Sequence, residues 1–257
     1  MGNDRFAHYE VFNLDWKDLE QIPEDHVAAI SVLSYAVSEV NALRKIYLAQ
    51  EHDLTDDKAV NSAINIHRFV VLRTWSSRLF EAVEFIAKGK KTTFLKDETL
   101  KELTETAILD FGKVSEGEGY LTARDVRNEA TNHYSFKAAK KNLKHVPRSM
   151  DCNMYTAKQN GNEFYPMGEA VMFHARLDRR WADVATKEER DKRFRSWLSW
   201  NLDATRWLSE THARFAGELL FKPLGRRTFV RTPKRVSSGF AGRPENSLTP
   251  VYFQERD

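Results

Sequence analysis

An all-α fold, an antiparallel bundle of about five helices, is what this 257-residue chain predicts, on three observations. Several long stretches carry apolar residues at steps of three and four, the period of one helix face. Residues that favour helix starts stand at their openings: Pro23 before the first, and Thr186-Lys187-Glu188-Glu189, a capping-box pattern, before the last. Short β-prone runs occur together in only one place, around Asn160-Gly161.

The first helix begins at Pro23 and turns Ile30, Leu33, Val37, Val40 and Tyr47 to one side. A second runs from about Asp57 to Lys88 on the stripe Ile64, Arg68, Val71, Trp75, Leu79, Ala82 and Ile86, with Gly89 as a C-terminal stop. A third, from about Asp97 to Phe111, leads into a loop at Ser115-Glu116-Gly117-Glu118-Gly119. The fourth covers about 122–144, before Pro147. Asn160-Gly161, between Met154-Tyr155-Thr156-Ala157 and Glu163-Phe164-Tyr165, predicts a small β-hairpin over about 153–165. The last long helix, about 187–220, has the stripe Phe194, Trp197, Asn201, Ala204, Leu208, Phe215 and Leu219, and ends before Pro223 and Gly225. Residues 1–220 thus read as one helical domain and 221–257 as a basic, partly irregular tail.

Composition narrows the functional classes. With 41% apolar residues and 12% aromatics the chain can build a core. No run approaches the length of a membrane span, and no apolar stretch follows the first charged residues as in a secretory signal. Phe6 stands where a myristoylation signal wants Ser or Thr. The single cysteine, Cys152, makes no internal disulfide and suits a reducing compartment, so the cytoplasm is expected. No paired cysteines, His-Glu-x-x-His, phosphate-binding glycine loop or dinucleotide turn occurs, so neither metal nor cofactor is expected. The net charge of +3 is unevenly placed: Lys222, Arg226, Arg227, Arg231, Lys234, Arg235 and Arg243 fall in a stretch without acids, leaving residues 1–220 at about −2. Such a tail attracts a polyanion through counterion release, or is simply a solvated segment.

The densest chemistry lies in Val126-Arg127-Asn128-Glu129-Ala130-Thr131-Asn132-His133-Tyr134. Arg127 is always charged and offers a planar donor fork to a phosphate. His133 titrates near neutrality and can take or give a proton. Spacing alone is weak, since Arg206 and His212 repeat it. The polar Asn128 directly after the arginine distinguishes the first pair. On one continuous helix, six residues amount to about 600° of rotation, so Arg127 and His133 point about 120° apart.

Arg127, Asn128 and His133 resemble the motif of the HEPN superfamily: an arginine, a polar residue, and a histidine after four to six intervening positions, five here, carried by a late helix of an all-α bundle. The match covers about 25 residues, from Thr122 to Val146. The resemblance implies a metal-independent endoribonuclease that leaves 2′,3′-cyclic phosphate and 5′-hydroxyl ends, in a toxin–antitoxin or phage-defence setting. It also implies a homodimer with a composite site, which the 120° offset favours, and an antitoxin or other defence-system partner. Some members of the family are inactive, so the alternative is a catalytically silent module that binds RNA or protein. A third reading makes 122–145 an ordinary amphipathic helix.

Supporting residues each have a plainer role beside the functional one. Glu81 and Glu84 either orient His133 or form a solvated helix face; Glu129, four residues before His133, either raises its pKa or makes a surface pair. Tyr134 either stacks on a base or packs between helices. Arg68 suits the core edge better than a polar cleft, and Trp197, Trp200 and Trp207 suit a core better than base stacking. The basic residues of the tail, Lys222, Arg226, Arg227, Arg231, Lys234 and Arg235, are the expected nucleic-acid contacts.

Overall fold

The computed structural model describes residues 7–12, 14–50, 55–89, 93–129, 135–156, 163–181, 186–225 and 232–236. Element order is β1 (Ala7–Val11), α1 (Trp16–Leu19), α2 (Glu24–Ala49), α3 (Lys58–Gly89), α4 (Glu98–Gly112), α5 (Gly117–Glu129), α6 (Phe136–Asn142), α7 (Pro166–Glu169), α8 (Ala175–Arg180), α9 (Lys187–Ala216) and β2 (Thr232–Val236). The chain is predominantly helical, as its periodicity predicts. α2, α3, α5 and α9 form the central bundle: α2 and α5 each pack on both α3 and α9, and α4 covers α3 and α9. Two π-helical turns, Ala170–His174 and Gly217–Phe221, interrupt the regular pitch.

Local chemistry sets the long helices. Asp97 caps α4 by accepting from the Leu100 amide, and Thr186 and Glu189 form a reciprocal capping box on α9. The expected stripes point inward: Leu33, Val40 and Tyr47 of α2 are buried against Leu72, Trp75, Leu79 and Ile86 of α3. Arg68 sits at the edge of this core, its guanidinium over the Tyr47 ring and donating to the Tyr47 hydroxyl at 3.2 Å. Trp197, Trp200 and Trp207 are core residues. The indole tips in the core are matched: Trp197 Nε1 donates to Ser76 Oγ, Trp75 Nε1 to Thr205 Oγ1, and Trp207 Nε1 to the Ala107 carbonyl, at 2.9–3.0 Å. Buried Asn201 accepts from Ser76 and donates to the Trp197 carbonyl, which explains an amide on an apolar stripe.

By length and composition α2 could cross a membrane. Its inner face, however, is packed against the bundle core.

Three sequence expectations are corrected. The segment Ser115–Gly119 is not all loop: Gly117, at φ +81°, starts α5. Gly119 lies inside that helix, where a Cβ would stand 2.2 Å from the Ser196 carbonyl oxygen of α9. The expected helix over 122–144 is two helices. α5 is described as far as Glu129, and Ser135 is extended (φ −123°, ψ 112°) and caps α6 by accepting from the Ala138 amide. No proline or glycine stands between Thr122 and Leu143 to mark that break. Within the tail, β2 is regular structure, antiparallel to β1 with Ala7 opposite Val236 and Val11 opposite Thr232.

The hairpin expectation falls partly outside the described residues, which omit 157–162. Its flanks meet as an isolated antiparallel bridge, Tyr155 opposite Phe164, with both backbone hydrogen bonds at 3.1 Å and stacked rings 4.5 Å apart.

Gly119→Ala is expected to destabilise the fold by about 1–3 kcal/mol, because the atom it meets is backbone and α5 must move off α9. Gly112→Ala, where a Cβ meets nothing within 4 Å, is the control and should be neutral or stabilising. Urea unfolding of the two variants checks the contrast; equal midpoints would refute the close approach.

Candidate functional site

Glycine and alanine at 119 and 123 let α5 lie close on α9, and Val126 fills the same buried face. Arg127, one position on, is thereby turned toward α3. Its Nη2 donates to Glu84 and, at 3.4 Å, to Glu81, and its guanidinium lies 5.7 Å from the Phe80 ring centroid. The hydrogen bond from Arg127 holds the Glu84 carboxyl below its ordinary range, against the opposing effect of burial. Lys88 adds a second cation to Glu84 at 3.3 Å. Asn128 is exposed beside this cluster.

The sequence candidates therefore sort unevenly. Glu81 and Glu84 do face the motif helix, with Arg127 as their described partner. His133 and Tyr134 lie outside the described residues, as does the side chain of Glu129. The 120° offset presupposes one helix through residue 133; α5 is described as far as Glu129, and residues 130–134, on which that geometry turns, lie outside the described residues. Lys222 is exposed and paired with Glu218 at 2.7 Å. Arg226, Arg227 and Arg231 lie outside the described residues, as do the side chains of Lys234 and Arg235 on β2.

The second Arg–His pair is structural in its described contacts. Arg206 is exposed on Asp203 at 3.3 Å, and His212 Nε2 lies 2.8 Å from Ser34 Oγ of α2.

Two features beside α5 escaped the sequence reading. A shallow groove runs between Asp125 and Val126 of α5 and Phe173, Arg176, Arg180 and Trp181, with Arg180 3.7 Å from Asp125. The run Ala175-Arg176-Leu177-Asp178-Arg179-Arg180 shows those arginines plainly, and Pro166 at the first turn of α7 marks the start of the helical segment carrying them. Below it, Arg73 of α3 is ion-paired with largely buried Glu169, and its guanidinium lies 4.6 Å from the Phe173 ring centroid. Burial pushes the Glu169 carboxyl up, with Arg73 opposing. The π-helical turn brings His174 edge-on to Phe69 at 4.7 Å, and burial together with the Arg73 charge pushes its pKa down to about 4.

That histidine gives a pH dependence. A folded value near 4 against 6.5 unfolded means that the unfolded chain binds more protons in this window, so stability is lost as pH falls from 6.5 towards 4. The loss should reach about 3 kcal/mol. His174→Gln should remove that part of the slope in urea titrations at pH 7 and 4.5. Glu169 contributes with opposite sign in both proteins and cancels in the difference. Parallel slopes would refute the assignment.

Among the described residues no group of three or more His, Cys, Asp or Glu is placed to hold a metal ion. In comparisons with known proteins the chain matches no family model, no curated protein and no solved structure.

Proposed function

We propose that this protein is a metal-independent endoribonuclease of HEPN type, with Arg127, Asn128 and His133 as its catalytic set. The observation that carries the reading is the placement of Arg127: a charged planar fork held at the bundle surface by Glu84 and Glu81 over Phe80, next to an exposed amide. Such a fork can bind the scissile phosphate and stabilise the charge that builds on it. His133 takes the proton from the ribose 2′-hydroxyl, the 2′-oxygen bonds to phosphorus, the bond from phosphorus to the 5′-oxygen breaks, and the leaving oxygen is protonated. The products are a 2′,3′-cyclic phosphate and a 5′-hydroxyl, and DNA is spared for want of the nucleophile. The basic residues from Lys222 to Arg235 supply sequence-blind affinity for RNA. By resemblance the proposal extends to a toxin or phage-defence setting in the cytoplasm with a controlling partner protein, and to association of two copies.

One observation favours a second reading, an inactive RNA- or protein-binding module: an arginine already ion-paired with two glutamates can serve as a pin between α5 and α3. Incubation with mixed RNA in EDTA separates the two. Under the proposal the wild type cleaves, His133→Ala does not, and His212→Ala does. Binding without cleavage, lost on removing residues 222–257, would establish the module instead. Cleavage surviving His133→Ala would end the catalytic assignment.

A further inference from the structure

The face of α2 turned away from the bundle is as regular as the one packed inside it. Ala28, Val32, Tyr35, Glu39, Ala42 and Ile46 follow one another at alternating steps of four and three, and at 100° per residue they fall within about 80° of the helix circumference. This is the seam spacing of a coiled coil. Its large residues are open: Val32 is 42% exposed, Tyr35 69% and Ile46 40%. Ala28 and Ala42 are exposed as well. An apolar stripe of this kind on a packed helix marks an interaction surface.

The stripe is self-complementary. Turned end for end about a two-fold axis near residue 37, a second α2 sets Ala28 against Ile46, Val32 against Ala42 and Tyr35 against Glu39, a small residue opposite each large aliphatic one. The charges agree with that direction. Glu24 and Asp25 stand exposed at the first turn and Lys45 near the last, and none of the three makes an ion pair among the described residues. Antiparallel pairing brings the acidic end of one copy within about one turn of the partner's Lys45, whereas parallel pairing sets like charges together. Glu39, at the middle of the seam, already has a cation, Arg78 of α3 at 3.2 Å. A charged pair at mid-span suits a protein partner better than a lipid one.

We infer that two copies of this chain associate through the outer faces of α2, antiparallel, in the register just given. The inference does not rest on the ribonuclease reading. Because α2 and α5 pack on opposite sides of the α3 and α9 pair, it places the two motif helices on the far faces of the dimer.

Sedimentation equilibrium of the full chain should give twice the 29.8 kDa chain mass for the wild type. The double variant Val32→Asp, Ile46→Asp should give the single mass with unchanged helical circular dichroism, because both side chains are already exposed in one chain. Register is read in a Cys152→Ser background: Ala28→Cys mixed with Ile46→Cys should form an intermolecular disulfide under mild oxidation, and neither variant alone should. A monomeric wild type, a dimer that survives the double variant, or a disulfide in Ala28→Cys alone would each overturn the inference. So would binding of the wild type, and not of the double variant, to anionic phospholipid vesicles without self-association.

Discussion

Arg127→Ala is expected to lower RNA cleavage by about 10²–10³-fold, the usual consequence of removing one donor from the charge developing in a transition state. Arg127→Lys keeps the charge and loses the fork, and should recover only a minor part of the rate. The ion pairs around this residue make the test sharper. Glu84 is about one-third exposed and Glu81 more than half, so screening limits what either contact contributes to stability. The alanine variant should therefore fold, with its unfolding midpoint close to wild type, and a lost rate can be read as lost chemistry. Glu84→Gln removes a charge that competes with phosphate for the same guanidinium. It should tighten RNA binding by up to about five-fold, the scale of an exposed ion pair. Filter binding and single-turnover cleavage report the two effects separately. If Glu84→Gln weakened binding and Arg127→Ala changed only the melting curve, Arg127 would be the pin between helices and not a phosphate ligand.

Much of the bundle was legible because its starts carry side-chain chemistry. Pro23, Asp97 and Thr186 each begin a helix within a residue of its expected position, and the stripes of α2, α3 and α9 are the buried ones. What was missed lacks a signature at the helical period. Two glycines in three residues resemble a loop, and only a neighbouring helix reveals that Gly119 is there for close approach to Ser196. Ser135 is a good cap, yet with no proline or glycine near it the stretch reads as one continuous helix. The π-helical turn at 170–174 shifts the pitch, so no regular stripe announces it. At the site, Glu81 and Glu84 read either as partners of His133 or as a solvated helix face, because spacing within one helix says nothing about which cation on another it will meet. The described structure gives them Arg127, with His133 outside its range.

The cluster beneath the π-helical turn carries the largest expected effect on stability. Arg73 and Glu169 are 14% and 13% exposed, and they join α3 to the turn from α7 into the π segment. Arg73→Ala would leave the Glu169 carboxyl buried without its counter-charge, beside an imidazole that burial already keeps neutral. Breaking a buried pair from one side costs about 3–5 kcal/mol, of which part is regained when the orphaned carboxyl binds a proton. The variant should thus be least stable at neutral pH and recover as pH falls through the raised pKa of Glu169. Replacing both partners, Arg73→Leu with Glu169→Gln, should restore most of the loss, because no buried charge is left alone. Urea unfolding at pH 5 and pH 7.5 reads both outcomes. If Arg73→Ala proved as stable as wild type at pH 7.5, the pair would be solvated, and the segment from Pro166 to Arg180, which carries the groove beside α5, would be held by Phe173 and its aromatic neighbours instead.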